Sequence, residues 1–143
     1  MAEVVSIQTL DDSSQTLIRE ALQVRELAYA PYSKFFVGCA IEDGDGKIHT
    51  GCNVENASYS AAICAERTAI VKMVSSGMKK IKKIAVATSS AEPCFPCGVC
   101  LQVIQEFGRE IRVIAVDRTG VKVLQASLSE LYPQRFSQDQ LSR

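Results

Sequence analysis

The feature that most constrains the fold is an apolar run, a helical segment and a second apolar run, in that order. Residues 81–88 are rich in β-branched and small apolar side chains, and residues 111–116 are almost continuously apolar. Between them, residues 97–107 carry apolar side chains at helical spacing, and Gly108 follows. A strand, a helix and a strand in this order predict a crossover that joins two parallel strands, of which at least one is buried on both faces.

The other segments predict helices on both faces of a mixed sheet. Two apolar stripes with a period near 3.6 indicate helices, and alternating runs around Asp43-Gly44-Asp45-Gly46 indicate a β-hairpin. A short strand and one or two short C-terminal helices complete the prediction. The segments are 13–30 and 63–76 for the helices, 36–41 and 47–54 for the hairpin, 121–124 for the short strand, and 127 onward for the tail. We therefore expect an α/β fold, with a mixed sheet of about five strands, in a single domain over residues 1–143.

Charge and cysteine content limit the function. The chain has 16 Lys and Arg and 16 Asp and Glu, so its formal net charge of +0 argues against a polynucleotide ligand. The N-terminus has neither a basic start nor a long apolar run, which predicts no signal peptide, no membrane span and a cytoplasmic protein. In that reducing compartment the six cysteines are expected to be core residues, metal ligands or catalysts rather than disulfides. The single histidine, His49, lies in the hairpin and is expected to be exposed.

Two segments at predicted helix starts favour metal chemistry. They are Cys64-Ala65-Glu66 and Pro96-Cys97-Gly98-Val99-Cys100. A helix N-terminus stabilises a thiolate, and cysteines three residues apart lie on one face of the first turn. Three thiolates leave one tetrahedral position free, as in a catalytic zinc site, and Glu66 is the candidate acid and base. Cys-x-Glu followed by Pro-Cys-x-x-Cys is the signature of zinc deaminases.

Further segments resemble the small, homotetrameric class of zinc-dependent cytidine deaminases. They are Pro31 to Gly38 (PYSKFFVG), Gly51 to Tyr59 (GCNVENASY), Cys64 to Ala69 (CAERTA) and Glu130 to Phe136 (ELYPQRF). The resemblance extends from the first predicted helix to Leu141. It implies a three-layer α/β/α cytidine deaminase-like fold and one zinc ion per chain. It also implies hydrolysis of cytidine and deoxycytidine to uridine and deoxyuridine with release of ammonia, in pyrimidine salvage.

The resemblance also implies a role for individual residues. Zinc would be held by Cys64, Cys97 and Cys100. Glu66 would move protons, and Arg67 would compensate the charge of the thiolates. The implied substrate-binding residues are Phe35, Asn53, Glu55, Ala57, Ala65, Tyr59 and Phe136. Of these, Tyr59 and Phe136 would reach into the site of a neighbouring subunit, so that a homotetramer has composite active sites.

Three positions are ambiguous or depart from the family pattern. Pro93 to Cys97 also matches Pro-Cys-x-x-Cys, so Cys94 is either an unused thiol or a competing ligand. The apolar stripe that follows Gly98 favours Cys97 and Cys100 as the ligands. Phe95 stands where the family usually has Ser, and Leu101 stands where it usually has Arg.

Alternative functions remain open on the sequence alone. One is deamination of a modified cytosine nucleoside of the blasticidin type, although Asn53 and Glu55 favour plain nucleosides. A polynucleotide deaminase is disfavoured by the neutral charge and the few aromatic residues. A non-catalytic zinc domain would need a fourth protein ligand in place of water.

Overall fold

The computed structural model describes residues 1–141, which form helices packed on a central sheet. The strands are β1 (Glu3–Val5), β2 (Val37–Asp43), β3 (Ile48–Cys52), β4 (Ile81–Thr88), β5 (Arg112–Val116) and β6 (Val123–Ser127). The helices are α1 (Asp12–Arg25), α2 (Ala65–Ser75), α3 (Gly98–Gln105) and α4 (Leu128–Leu131). Short 3-10 turns lie at Ile7–Thr9, Tyr59–Ala61 and Gln138–Gln140.

The six strands of the described residues form one mixed sheet in the order β1-β6-β5-β4-β2-β3. β4 and β5 are parallel, with Ala87 opposite Val116, and the other four pairs are antiparallel. The predicted crossover through α3 and the predicted hairpin of β2 and β3 are both confirmed. The prediction of about five strands did not include β1, because its three residues gain strand geometry only by pairing with β6.

The end of α1 and the start of β6 differ from the predicted residues, and the hydrogen bonds explain both differences. α1 ends at Arg25 rather than at residue 30. Beyond it, Tyr29 N–H donates to the Asn53 carbonyl and Glu55 N–H donates to the Tyr29 carbonyl, so pairing with a distant segment replaces the helix. β6 begins at Val123 rather than at residue 121, because the Asp117 carboxylate accepts the N–H groups of Val121 and Lys122 and holds them in the turn.

The helices cover both faces of the sheet. α1 packs through Leu17, Ile18 and Ala21 against one face, where Ala40, Ala85 and Ile114 lie. α2 and α3 pack against the other face, where Cys39, Ile41, Ile84, Val86 and Val113 lie. Neighbouring residues of one strand thus enter different cores, as the two-residue period of a strand requires. The three-layer α/β/α architecture is therefore confirmed.

Glycines let α1 and α2 approach the hairpin closely. A Cβ atom at Gly38 would lie 2.0 Å from the Ala21 carbonyl oxygen of α1, and one at Gly51 would lie 2.4 Å from the Ala69 nitrogen of α2. His49 lies two residues before Gly51 and so on the same face of β3. The prediction that His49 is exposed is wrong: it is 3% exposed, and its Nε2 lies 2.7 Å from Asp43 Oδ2.

Candidate active site

The sheet topology brings the starts of α2 and α3 to one edge. Both β3 and β4 pair antiparallel with β2, so they run in the same direction. Their carboxyl ends therefore meet at the edge where β2 begins, with Val37 opposite Thr88 and Gly38 opposite Cys52. The segments that follow β3 and β4 lead to α2 and α3. Cys64 is the N-cap residue of α2, and Cys97 is the N-cap residue of α3.

Three thiols meet at these helix starts. The Sγ atoms of Cys64, Cys97 and Cys100 all lie within 4.8 Å of one another. Tetrahedral zinc at about 2.3 Å from each sulfur would separate them by about 3.8 Å, so the donor set fits a zinc ion. Cys100 is buried, Cys64 is half-buried and Cys97 is exposed. Cys94 is outside this group among the described residues, and its thiol instead donates to the Glu92 carbonyl at 3.4 Å.

Arg67 supplies positive charge beside the thiols. Its Nη2 donates to Cys64 Sγ at 3.5 Å. The hydrogen bond from Cys100, together with that from Arg67, lowers the pKa of Cys64 to about 5. In residues 1–141, no other guanidinium or ammonium group is hydrogen-bonded to a cysteine sulfur. Leu101 stands where the family usually has a second arginine, and its apolar side chain packs against the core, so it adds no charge to the site.

Glu66 lies beside the thiols and is buried. It is the second residue of α2, and 5% of it is exposed. Burial raises the pKa of the Glu66 carboxyl to about 7, and the nearby Cys64 thiolate adds to the effect. A carboxyl group with a pKa near neutral can both accept and release a proton at physiological pH.

A cavity of about 360 Å³ opens onto these groups. Cys64, Glu66, Arg67 and Cys97 are among the residues that line it. The remaining lining residues are Phe35, Val37, Asn53, Glu55, Tyr59, Ala62, Ile63, Ala65, Val86, Thr88, Cys94 and Phe95. Its walls thus combine apolar side chains with a few polar groups, which is typical of a site for a small organic ligand.

Asn53 and Glu55 hold the loop that carries Phe35. The Asn53 side-chain oxygen accepts from Val37 N–H at 2.8 Å, and its Nδ2 donates to the Phe35 carbonyl at 2.8 Å. Glu55 accepts from the N–H groups of Tyr32 and Ser33 and from the Ser33 hydroxyl. The Ser33 hydrogen bonds lower the pKa of Glu55, so this carboxylate is charged where it lines the cavity.

The single chain does not bring every predicted residue to the cavity. Phe35, Asn53, Glu55, Tyr59 and Ala65 line it, whereas Ala57 and Phe136 do not. The side chains of Tyr59 and Phe136 are 78% and 55% exposed. The carbonyl of Phe136 accepts hydrogen bonds from the side chains of Gln102 and Gln105, which fixes its backbone against α3.

Several residues that line the cavity were not predicted from the sequence. Val86 and Thr88 end β4, and Val37 begins β2. The two-residue period would have placed Val86 and Thr88 on one face of the strand, although not beside α2. Ser89 also escaped notice: its hydroxyl accepts from Phe36 N–H at 3.0 Å and steadies the Phe35 loop.

Comparison of the sequence with known proteins shows to which protein family this chain belongs. The family model of the cytidine and deoxycytidylate deaminase zinc-binding region matches residues 11–116. The chain belongs to this deaminase family. A protein of Sporosarcina psychrophila described as a cytidine deaminase is 42% identical over 128 residues, which are 90% of this chain and 94% of that protein. A probable cytidine deaminase of Dictyostelium discoideum is 44% identical over 87% of this chain and 84% of its own length.

Solved structures agree with the family. The crystal structure of cytidine deaminase from Burkholderia pseudomallei has a TM-score of 0.81 and 42% identity, with 85% of this chain and 98% of that chain covered. The matching family model is that of a zinc-binding region, and the thiol group fits this metal, so zinc is the cofactor of this deaminase. Among residues 1–141, no helix has the length and apolar content to cross a membrane.

Proposed function

We propose that this deaminase hydrolyses cytidine and deoxycytidine to uridine and deoxyuridine, with release of ammonia. The observation that carries the proposal is the buried Glu66 carboxyl beside a group of three thiols, in the lining of a cavity sized for a small ligand. Relatives described as cytidine deaminases cover nearly the whole chain. The enzyme is then a hydrolase of a C–N bond in a cyclic amidine, built as one catalytic domain over residues 1–143.

The three thiols, Glu66 and Arg67 have separate tasks in the proposed reaction. Cys64, Cys97 and Cys100 hold zinc, which when bound lowers the pKa of water and supplies a nucleophile at neutral pH. Glu66 takes a proton from the attacking water and passes it to N3 of the base. It then takes the proton of the hydroxyl group newly formed on the reacting carbon and passes it to the amino nitrogen. The C–N bond breaks, ammonia leaves and the carbonyl group of the product forms. Arg67 offsets the negative charge of the thiolates and so preserves the electrophilic character of the metal.

Asn53 and Glu55, which also line the cavity, bind the sugar. Glu55 is charged and Asn53 carries an amide, and both are fixed by hydrogen bonds to the Phe35 loop. We assign them to the ribose hydroxyls, with Phe35 packing beside the nucleoside and with a backbone group of Ala65 contacting the pyrimidine. Ala57 does not line the cavity of the single chain, so it is not assigned this contact. The fixed loop limits the conformational entropy that is lost when substrate binds.

The non-catalytic alternative agrees less well with the geometry. A structural zinc site is closed by four protein ligands. Among the described residues the metal-binding group has three members, and Cys94 is not one of them. One side of the group also faces the cavity through Cys97. A zinc ion held by these three thiols would keep one position for water, on the side of the cavity that Glu66 also lines.

The activity is tested on the purified zinc-loaded protein with cytidine and deoxycytidine. We expect one ammonia for each uridine or deoxyuridine formed, because hydrolysis releases both products together. Ammonia is followed with a coupled dehydrogenase, and the pyrimidine product is followed by chromatography. Turnover of a blasticidin-type nucleoside but not of cytidine would contradict the proposal.

We propose further that four chains assemble with composite sites and act in cytoplasmic pyrimidine salvage. Two exposed aromatic side chains lie in or next to the cavity: Tyr59, which lines it, is 78% exposed, and Tyr32 is 52% exposed. These two rings contact edge to face, with centroids 6.2 Å apart. A neighbouring subunit would bury this apolar surface, and Phe136 of one chain would complete the site of the next.

The composite site predicts complementation between two defective chains. Light scattering is expected to give four times the 15.6 kDa chain mass. Glu66→Gln and Phe136→Ala chains carrying different tags are co-expressed, and the mixed oligomer is isolated through both tags. Its activity is expected to exceed the mean of the two parents, because some sites combine an intact Glu66 with an intact Phe136. A fully active monomer, or activity equal to that mean, would contradict the composite site.

A further inference from the structure

Phe95 lines the cavity close to the thiols and Glu66, in the part that we call the reactive end of the cavity. It lies two residues before Cys97, so its Cα is within about 7 Å of the Cα of that cysteine. It lines the same cavity as Glu66, Cys64 and Cys97. The ring also packs against the core between the sheet and helices α2 and α3. A half-buried ring that is held by a packed core forms a rigid wall.

The chemistry of the reacting carbon tells which part of a substrate meets this wall. The carbon that loses its amino group has three neighbours in cytosine: the ring nitrogen N3, the amino nitrogen and the ring carbon C5. In the proposed mechanism N3 faces Glu66. Glu66 reaches the amino nitrogen from the side of N3, so a substituent on that nitrogen, like one on C5, would face the remaining surfaces of the reactive end. Val86 belongs to the sheet beneath it, and Phe95 is the largest apolar side chain that the loop after β4 contributes.

We propose that Phe95 determines substrate specificity by limiting the size of groups on the amino nitrogen and on C5. The inference rests on the proposed deaminase function and adds a selection among cytosine nucleosides. Truncating the ring enlarges the reactive end without altering a thiol, Glu66 or Arg67. One extra group of methyl size in a tight apolar pocket commonly changes kcat/KM by about 10-fold to 200-fold. An effect of that order is therefore expected for a substituent that meets the ring.

The test compares kcat/KM for cytidine, N4-methylcytidine and 5-bromocytidine. The zinc-loaded wild type, Phe95→Ala and Phe95→Leu are measured under identical conditions. For each enzyme, kcat/KM of the substituted nucleoside is divided by that of cytidine. This ratio does not depend on how much of the protein is folded and zinc-loaded, because both values come from the same preparation. For at least one substituted nucleoside, the ratio is expected to rise about 10-fold or more in Phe95→Ala and less in Phe95→Leu, because leucine fills part of the space.

Phe107→Ala is the matched control. Phe107 is half-buried and packs against the same core, but it is not among the residues that line the cavity. Its replacement is expected to lower stability and to leave both ratios within about twofold of wild type. Ratios within about threefold of wild type for both nucleosides in Phe95→Ala would overturn the specificity role, as would an equal rise in Phe107→Ala. Absence of cytidine turnover in the wild type would instead overturn the deaminase function.

Discussion

Replacement of Glu66 by glutamine is expected to lower kcat for cytidine by about 100-fold to 10,000-fold. The glutamine amide has nearly the same shape as the carboxylate, but it cannot accept and release a proton. Zinc is expected to stay near one ion per chain, because the three thiols are unchanged. The variant therefore separates proton transfer from metal binding. Steady-state kinetics and elemental analysis of the same preparation give both quantities.

The loss of activity is not expected to reflect unfolding. Glu66 is 5% exposed and its pKa is raised to about 7, so a neutral side chain suits this buried position. Glu110→Gln is the matched control, because that glutamate is exposed, does not line the cavity and is outside the thiol group. It is expected to retain both zinc and wild-type kcat. Equal turnover by wild type and Glu66→Gln would show that the assigned role of Glu66 is wrong.

Replacement of Cys100 by serine is expected to remove zinc and, with it, activity. The serine hydroxyl does not ionise near neutral pH and is a poor ligand for zinc. Loss of a residue that merely orients a ligand costs about 10-fold to 100-fold in metal affinity, so loss of a ligand costs more. Zinc per chain, measured after dialysis against a weak chelator, is expected to fall below about one tenth. The melting temperature is expected to fall as well, because the metal ties α2 to α3.

Cys94→Ser is the control that separates the two possible cysteine registers. Cys94 lies in the same loop as Cys97, but its thiol is outside the metal-binding group and donates to the Glu92 carbonyl. The variant is expected to keep about one zinc per chain. Zinc loss in Cys94→Ser, together with full zinc in Cys100→Ser, would show that the alternative register is correct. Circular dichroism of both variants checks that each one is folded.

The local parts of the fold could be predicted from the sequence because short-range patterns specify them. The bounds of β4 are those predicted from its apolar run. The starts of α2 and α3 were predicted within two residues, since N-cap positions and apolar spacing are local signals. The predictions fail where a distant segment competes. Tyr29 pairs with the segment after β3 and ends α1 early, and β1 exists only because β6 lies beside it.

The burial of His49 shows the same limit on a single residue. A histidine next to a turn in an edge strand is typical of an exposed position. In the fold, α2 packs on that face of β3 through the close approach at Gly51, and Asp43 pairs with the imidazole. Burial opposes ionisation of Asp43, but hydrogen bonds from His49 and from two backbone N–H groups lower its pKa. Local patterns predict the hairpin that carries both residues of the pair, and they predict α2, but they do not show that α2 covers this face of the hairpin.

The sequence by itself determined the chemistry that this protein can perform. Thiols at helix starts and a glutamate two residues after one of them indicate a zinc deaminase, because metal binding and proton transfer depend on residue type and local spacing. Only the tertiary structure decided which residues meet. The strand order puts the ends of β3 and β4 at one edge, so Cys64 joins Cys97 and Cys100 while Cys94 stays outside. Strand order depends on contacts between distant segments, which local patterns do not encode.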